Sequence, residues 1–414
     1  MPSFSTALSG LNAESQALSV ISNNLANLNT VAFKAQSPDF QDLFYQQIGS
    51  SGDGDPVQIG VGTTVGAISS DFTQGSIEST GVPTDVAIQG NGFLVEDNNG
   101  LQEYTRAGDL SVGANGQLMT SDGGDVLGYE AVNGVISPSQ VLGPLSVASG
   151  QISPPNPTGN VQIDMNLNSA GGVGSTFSTP VTVTDAQGNS HVLTFNFTNT
   201  AANTWTYAIT IPAADVGATG NPVSIGTGTL SFTGAGVLMA PTGNVTGLKI
   251  TGFADGASDL TFNWDLYDAN GNPLVTQVAS PSAASSTEQD GYSSGTLTSF
   301  NIQSDGTIQG IFSNGQTLAL GQIALASFPN VQGLVRNGSN DSLASLASGS
   351  ANIGAPATGG RGTIAGGSLE ESNVDIATEF ANLILAERGY QANAKTVTTF
   401  DEVTQTAINM QAGV

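Results

Sequence analysis

The chain lacks cysteine altogether, has a single histidine, and sets only 7 lysines and arginines against 33 aspartates and glutamates, a formal charge of −26 over 414 residues. Without cysteine there are no disulfides, no thiolate metal ligands and no thiol nucleophile. Nucleic acid is excluded as a partner, because its binding requires clustered Lys and Arg that displace counterions, and between Ala107 and Val335 the only cation is Lys249. The same scarcity excludes polybasic attachment to anionic lipid. No run approaches the ~18 apolar residues of a membrane span, so no membrane insertion is expected. The first lysine is Lys34, so no basic segment precedes an apolar one and no cleaved secretory signal is expected. The acidic composition is nevertheless that of a surface protein, which calls for another route out of the cell or else a cytoplasmic home.

What is abundant is glycine, 54 residues, beside Ser, Thr and Asn, while 38% of the chain is hydrophobic. That combination suits many turns and short strands around a core, rather than a bundle or a disordered chain. The two ends differ from this pattern. Phe4, Leu11, Leu18 and Leu25 recur every seven residues, with Leu8, Ile21 and Leu28 beside them. This spacing predicts one helix within residues 3–30, of about 25 residues and roughly 37 Å, with a coiled-coil-like seam. Ile376, Leu383, Tyr390 and Val397 repeat the period near the C-terminus, with Phe380, Ala394 and Ile408 on the adjacent row. Ser368–Glu371 and Ser372–Asp375 have the form of capping boxes at its start.

The polar faces of both predicted helices carry amides and hydroxyls where a solvated helix would carry Glu and Lys pairs. Ser22, Asn23, Asn24, Asn27 and Asn29 lie on one, and Asn382, Gln391, Asn393, Thr398, Thr399 and Gln405 on the other. Uncharged donors and acceptors of this kind can meet other copies of the chain without burying charge.

Between the helices, Trp205, Tyr207, Ile209 and Ile211 alternate with polar residues, as do Leu193, Phe195 and Phe197, and Leu260, Phe262, Trp264 and Leu266. These predict half-buried antiparallel strands. Asn-Gly or Asp-Gly pairs at 91–92, 99–100, 115–116, 122–123, 133–134, 270–271, 305–306 and 314–315 supply hairpin turns. Pro/Ser-rich stretches at 151–159 and 279–286 read as linkers. The expected architecture is therefore mainly β with paired helical termini and nested β domains. Residues 1–34 and 366–414 form a helical polymerisation domain, 35–148 with 283–365 a discontinuous β domain, and 149–282 an outer β domain inserted into it.

Catalytic signals are weak. His191 follows a turn and has no recognisable nucleophile motif to serve. Asp268-Ala-Asn-Gly-Asn272 resembles the front of a calcium loop but has Ala279 where a bidentate Glu belongs, so a type I′ hairpin explains it. Gly60-Val-Gly-Thr-Thr-Val-Gly66 misses the dinucleotide fingerprint and has no Walker lysine. Asn196 and Asn244 stand in glycosylation sequons that carry little weight without a secretory signal. No catalytic, cofactor-binding or metal residue is expected, and the chain is not expected to be an enzyme.

Ser22-Asn-Asn-Leu-Ala-Asn-Leu-Asn-Thr-Val-Ala-Phe-Lys34 closely resembles the N-terminal signature of the bacterial flagellar rod and hook axial proteins. Tyr390-Gln-Ala-Asn-Ala-Lys395, preceded by Ser372-Asn-Val-Asp375, resembles their C-terminal one. The segment Thr84–Leu94 with Tyr104–Gly108 and Asn115–Leu118 is similar to their shared β segment. Ser313–Gln322, Ala326–Leu334 and Val181–Thr194 resemble the hook-type members in particular. The family usually has Gly where this chain has Ala32, which bears on the turn after the first helix.

The resemblance implies a structural subunit of a bending, torque-transmitting tube, built from many copies, with helices inside and β domains outside. Another axial protein such as the distal rod subunit is the alternative, although it would normally lack the inserted domain. A secreted acidic enzyme or adhesin would not need heptads at both ends. The resemblance further implies the distal rod protein, the hook cap, the hook–filament junction protein and the flagellar type III export apparatus as partners, and a place on the extracellular side of the envelope. Uncleaved export by that apparatus accounts for the missing signal peptide. The residues expected to carry subunit assembly are Phe4, Leu8, Leu11, Leu18, Ile21, Asn23, Asn24, Leu25 and Leu28 on the first helix. On the second they are Ile376, Phe380, Leu383, Tyr390, Asn393, Val397 and Ile408.

Overall fold

The computed structural model describes residues 2–50, 53, 55–137, 141–148 and 150–412. It forms two compact units, one of Met1–Ser149, Ser299–Gly310 and Thr317–Val414, the other of Gly150–Thr298 and Ile311–Gln316. The second unit is thus an insertion in the first, and the fold is mostly β with a helix at each end of the chain.

In the first unit, helix α1 (Pro2–Ala26) and helix α2 (Ile376–Ala412, 37 residues) pack against one another. Helix α2 begins at a different cap from those expected. The Asp375 carboxylate accepts from the Thr378 amide at 2.7 Å, and this bond holds the Asp375 pKa below its ordinary value. The Ser368 stretch is instead a strand, Ser368–Glu370, paired with Ile77–Ser79, and Ser372 accepts only from the Val374 amide. Asp375 prevails because its oxygen reaches the third amide of the helix that actually forms.

The body of this unit is a sheet in which Thr317–Ile323, Asp125–Val132, Phe93–Asn98, Leu101–Thr105, Asp341–Leu343 and Val335–Gly338 follow side by side, all antiparallel. Strand Phe93–Asn98 is buried on both faces. Leu94 enters a cluster with Val86, Ile88, Val126, Ile308 and Ile323, whereas Phe93 and Val95 enter one with Tyr104 and Phe328. Tyr104 and Phe93 both meet the Phe328 ring edge to face, at 4.8 and 5.9 Å. Ahead of this sheet, two antiparallel ladders, Gln36–Asp42 with Thr63–Ser70 and Tyr45–Ser50 with Pro56–Gly60, run on from α1.

The second unit stacks two five-stranded sheets on one core. One is a meander through Thr176–Thr184, Ser190–Ala201, Thr204–Ile211, Val223–Phe232 and Leu238–Ala240. The expected alternation is present: Leu193, Phe195, Phe197, Trp205, Ile209, Ile211, Leu260, Phe262, Trp264 and Leu266 are all buried. Trp264 is the central contact, with Tyr207 at 5.1 Å, Phe195 at 5.2 Å and Phe197 at 6.0 Å.

Three expectations change. Leu260–Asp265 is antiparallel to Val245–Ile250 but parallel to Asn160–Asn166, because the whole meander intervenes between the parallel pair as a long crossover. Residues 279–286 run into strand Ala283–Gln289, which lies along Asn160–Asn166, while Ile152–Ser153 pairs with Gly295–Thr296. Both Pro/Ser-rich stretches are therefore paired chain rather than free linker, and the inserted unit extends to residue 298 instead of 282. Type I′ geometry, with both central residues at positive φ, occurs at Asn99-Gly100 and Asn133-Gly134, whereas at 270–271 only the glycine is left-handed. There Asp268 Oδ1 accepts from the Asn270 and Asn272 amides at 2.9 and 2.7 Å, closing the loop on itself.

Trp264→Ala should destabilise the second unit by about 3–5 kcal/mol through lost burial and the cavity left behind. Because the Trp264 indole N–H has no acceptor, Trp264→Phe should cost well under half of that, as read by denaturant unfolding of the two variants.

Candidate assembly surface

Glu370 ties together three parts of the first unit that are remote in sequence. Lys34 Nζ donates to Glu370 Oε1 at 2.6 Å, Arg106 Nε donates to Oε2 at 3.1 Å, and the Gly75 amide also donates to Oε1 at 2.9 Å. All three charged side chains are buried. The surplus cation is spread over carbonyls: Lys34 donates to Thr73 O at 2.7 Å, and Arg106 to Gly92, Gly90 and Ile88 O at 3.1–3.3 Å. Burial holds the Lys34 pKa below its ordinary value despite the opposing pull of Glu370.

The turn between α1 and this anchor is strained. Ala32 has φ +54°, the left-handed conformation that favours glycine, and its amide donates to Glu370 O at 2.8 Å. Around it, Asn340 donates to Val31 O at 2.7 Å, Asn373 accepts from the Ala35 amide at 2.8 Å, and the Arg336 guanidinium lies 5.6 Å from the Phe33 ring centre. Asn24, expected on the face that meets other copies, is instead fully buried within the subunit. Its amide brackets the Gln36 backbone at 2.7 and 2.9 Å and donates to Glu379 Oε1 at 3.2 Å. Such an amide satisfies one donor and one acceptor of a turning chain, which no charged residue can do alone.

The seam between α1 and α2 differs from the expected row of leucines. On α1 the buried residues are Ala7, Gly10, Ala13, Ala17, Val20, Ile21 and Asn24, with the heptad residues Leu11, Leu18 and Leu25 half-buried at the margin; the helix ends at Ala26, so Leu28, expected on it, is half-buried in the turn that follows. A methyl group on Gly10 would lie 2.9 Å from the Asn393 amide, and one on Gly389 would lie 2.6 Å from Glu14 Oε1. Small residues win the centre because they let the helix axes approach. Ala17, Ile21 and Ala386 form the buried centre with Leu18, Leu25 and Leu383 around it, and Phe4 meets Phe400 at 6.1 Å.

Of the other residues expected in assembly, Asn393 and Val397 are half-buried, while Phe4, Leu8, Asn23, Ile376, Phe380, Tyr390 and Ile408 are exposed. Exposed apolar side chains continue along α2 at Ile384, Leu385 (70% exposed), Val403 and Met410. The ladders after α1 add a surface that periodicity did not reveal, with Phe44 93% exposed and Phe40, Tyr45, Ile48, Ile59 and Ile68 also open. Its one signal in the sequence is the aromatic triplet Phe40, Phe44, Tyr45 in an otherwise polar stretch. This many large apolar side chains left open on one helix and the segment after the other suit a surface for association.

In the second unit His191 lies among carboxylates, with Asp185 Oδ2 3.3 Å and Asp255 Oδ2 3.6 Å from Nε2 and Asp215 Oδ2 3.3 Å from Nδ1. Its ring packs 4.5 Å from Phe253. Burial pushes the Asp185 carboxyl up, but the Asn189 and Gln187 amides and His191 outweigh it, and its pKa lies below the ordinary value. This arrangement braces the turn that begins strand Ser190–Ala201.

Glu370→Gln removes the carboxylate that pairs with both buried cations, so it should cost about 3–5 kcal/mol, measurable by thermal or denaturant unfolding. Ala32→Gly relieves the left-handed strain and should stabilise the first unit by about 0.5–1 kcal/mol in the same assay.

Four family models match the chain: flagella basal body rod protein at residues 4–34, flagellar hook protein FlgE/F/G D1 domain at 87–173, flagellar basal body protein FlaE D2 domain at 156–292, and flagellar basal body rod FlgEFG protein C-terminal at 365–410. The chain is 36% identical over 426 residues to the flagellar hook protein FlgE of Salmonella typhimurium, covering 99% of this chain and 100% of that one. It is 35% identical to that of Escherichia coli K12 and 31% identical to that of Treponema pallidum, with the same coverage. The crystal structure of Helicobacter pylori flagellar hook protein FlgE2 shares the fold, with a TM-score of 0.50 at 15% identity over 69% of this chain and 98% of that one. With relatives above 30% identity aligned over almost every residue, the chain belongs to the flagellar hook protein FlgE family.

Proposed function

We propose that the chain is the structural subunit of the bacterial flagellar hook, a tube of many copies that bends while transmitting torque. The observation that carries this reading is the apolar surface left open beside the helix pair: Phe380, Ile384 and Leu385 on α2, and Phe40, Phe44 and Ile48 on the ladders that follow α1. Each such side chain contributes about 1.5–3 kcal/mol when fully buried, so a few per contact hold copies together. Residues 1–34 and 366–414 form the cohesive inner part, and the exposed residues among those expected in assembly, Phe4, Leu8, Asn23, Ile376, Phe380, Tyr390 and Ile408, act at its margins. The β domain of the first unit, from 35 to about 365 without the insertion, stands outside it. The inserted domain beginning near 149 makes the outermost contacts, and its acidic, hydroxyl-rich surface suits small, wet interfaces that exchange partners as the tube bends.

A structural rather than enzymatic role follows, with export through the flagellar type III apparatus and a place on the extracellular side of the envelope. The ends of the polymer would meet the distal rod protein, the hook cap and the hook–filament junction protein. A rod subunit is the weaker reading, since the relatives matched over the full length are hook proteins and the D2 model covers the insertion.

Negative-stain electron microscopy of purified protein, concentrated slowly in a polymerising salt, tests the proposal. Full-length chain should form tubes, and chain trimmed to 35–365 should not. Leu385→Asp and Phe380→Asp should leave the unfolding free energy of the monomer within about 0.5 kcal/mol, as exposed substitutions do, and yet abolish tubes. Tubes of ordinary yield from either variant would remove the α2 face from the interface.

A further inference from the structure

Within the sheet of the first unit four carboxylates converge. Glu96 and Glu103 stand directly opposite one another on paired strands, Asp341 is paired with Thr105 on the next strand, and Asp122 arrives from the turn after Thr120. One carboxylate oxygen of each lies within 4.8 Å of the other three, and all but Asp122 are buried. Like charges directly opposite in a ladder are destabilising, and buried charge needs compensation. Among the described residues no Lys or Arg forms an ion pair with any of the four.

Their donors are neutral. Thr120 Oγ1 lies 2.5 Å from Glu96 Oε2 and 2.6 Å from Asp122 Oδ1; Asn98 Nδ2 lies 3.1 Å from Asp122 Oδ2 and 3.3 Å from Glu103 Oε2; Asn337 Nδ2 donates to Glu103 Oε1. These bonds orient the carboxylates without cancelling charge. Glu96 has no solvent exposure, and its Oε1 accepts from no N–H or hydroxyl group, leaving a protonated Asp341 carboxyl as the rival partner. That buried carboxylate oxygen, inside the cluster and without an N–H or hydroxyl donor, is the second sign that something else belongs there.

We infer that Glu96, Glu103, Asp122 and Asp341 bind one divalent cation of calcium size. The donor set is all oxygen, which suits a hard cation, and calcium holds such oxygens at about 2.3–2.6 Å, so ligands on opposite sides of it lie about 4.6–5.2 Å apart. Magnesium, at about 2.0–2.1 Å in a strict octahedron, demands a tighter set. An entry path exists, because Asp122 and Asp341 line the same open cleft, together with Arg106 and Asn340. Bound there, the ion would fasten the Glu96–Glu103 hairpin to the Asp341 strand and the Asp122 turn. The rival is neutralisation by a proton alone, burial and the Glu96 charge pushing Asp341 up to about 8.

The test uses full-length protein stripped with chelator and kept dilute, titrated with CaCl2 by calorimetry and followed by thermal unfolding against NaCl of matched ionic strength. One saturable site is expected, with the unfolding midpoint about 5 °C higher at about 10 mM calcium, since extracellular calcium modules bind with dissociation constants of about 10⁻⁴–10⁻³ M. Asp122→Asn, at the exposed ligand, should weaken binding at least about tenfold while leaving the calcium-free midpoint in place. Glu96→Gln should abolish binding; should that variant fail to fold, Asp122→Asn decides. Many weak sites suppressed by NaCl, a midpoint that does not distinguish CaCl2 from NaCl, or a wild-type response in Asp122→Asn would each overturn the site in favour of the proton.

Discussion

A buried carboxylate between two buried cations is the constraint on which the first unit depends. Glu370 accepts from Lys34, which follows α1, and from Arg106, which belongs to the β body, and it lies five residues before Asp375, the cap of α2. Charges taken out of water are tolerated only with close partners and satisfied hydrogen bonds, so the three segments have one arrangement in which none of these groups is abandoned. The strain accepted at Ala32 is the local cost of bringing Lys34 into reach. Through this anchor the two ends of the chain leave the β body side by side, which is the precondition for a helix pair.

The helix pair then divides its apolar residues between two tasks. Ala and Gly at the centre of the seam bring the axes close, with Gly10 against Asn393 and Gly389 against Glu14. Because the centre is small, the bulky heptad residues are displaced to its margins, and several remain open to further contact. A seam packed with leucine would hold the pair more deeply but would leave less apolar surface for other copies. The exposed ladders after α1 extend the same logic into β structure. A single subunit thus leaves apolar side chains of both helices and of the ladders uncovered, the surface on which the proposed assembly rests.

The charge of −26 has an unusual internal distribution. Two of the seven cations serve Glu370, Arg336 braces the turn after α1, and Arg361 holds its own loop through Ala355 O and Thr358. Among the described residues none of them forms an ion pair with the acid cluster at Glu96, and in the second unit His191 lies within 3.6 Å of three aspartates whose other donors include Asn189. In a protein with so few bases, carboxylates are stabilised by amides, hydroxyls and turn backbones, as Asp268 and Asp375 illustrate.

Whatever depends on periodicity was decided by the sequence: the two terminal helices, the alternating strands around Trp205 and Trp264, and the glycine turns. Period and turn chemistry are local, so they survive without knowledge of contacts. The motifs at the two ends carried the family, and the substitution at Ala32 marked a turn under strain. Only the tertiary structure decided which face of each helix is buried, because a seven-residue repeat does not say whether small or large residues occupy the centre. Pairing partners were equally hidden, which is why the Pro/Ser-rich stretches became strands and one pair became parallel. Asn24 turned inward and Phe44 outward for the same reason, since burial depends on what the rest of the chain brings to that place. The meeting of Lys34 with Glu370, and of Glu96 with Asp341, spans hundreds of residues, and no local pattern encodes contacts at that distance.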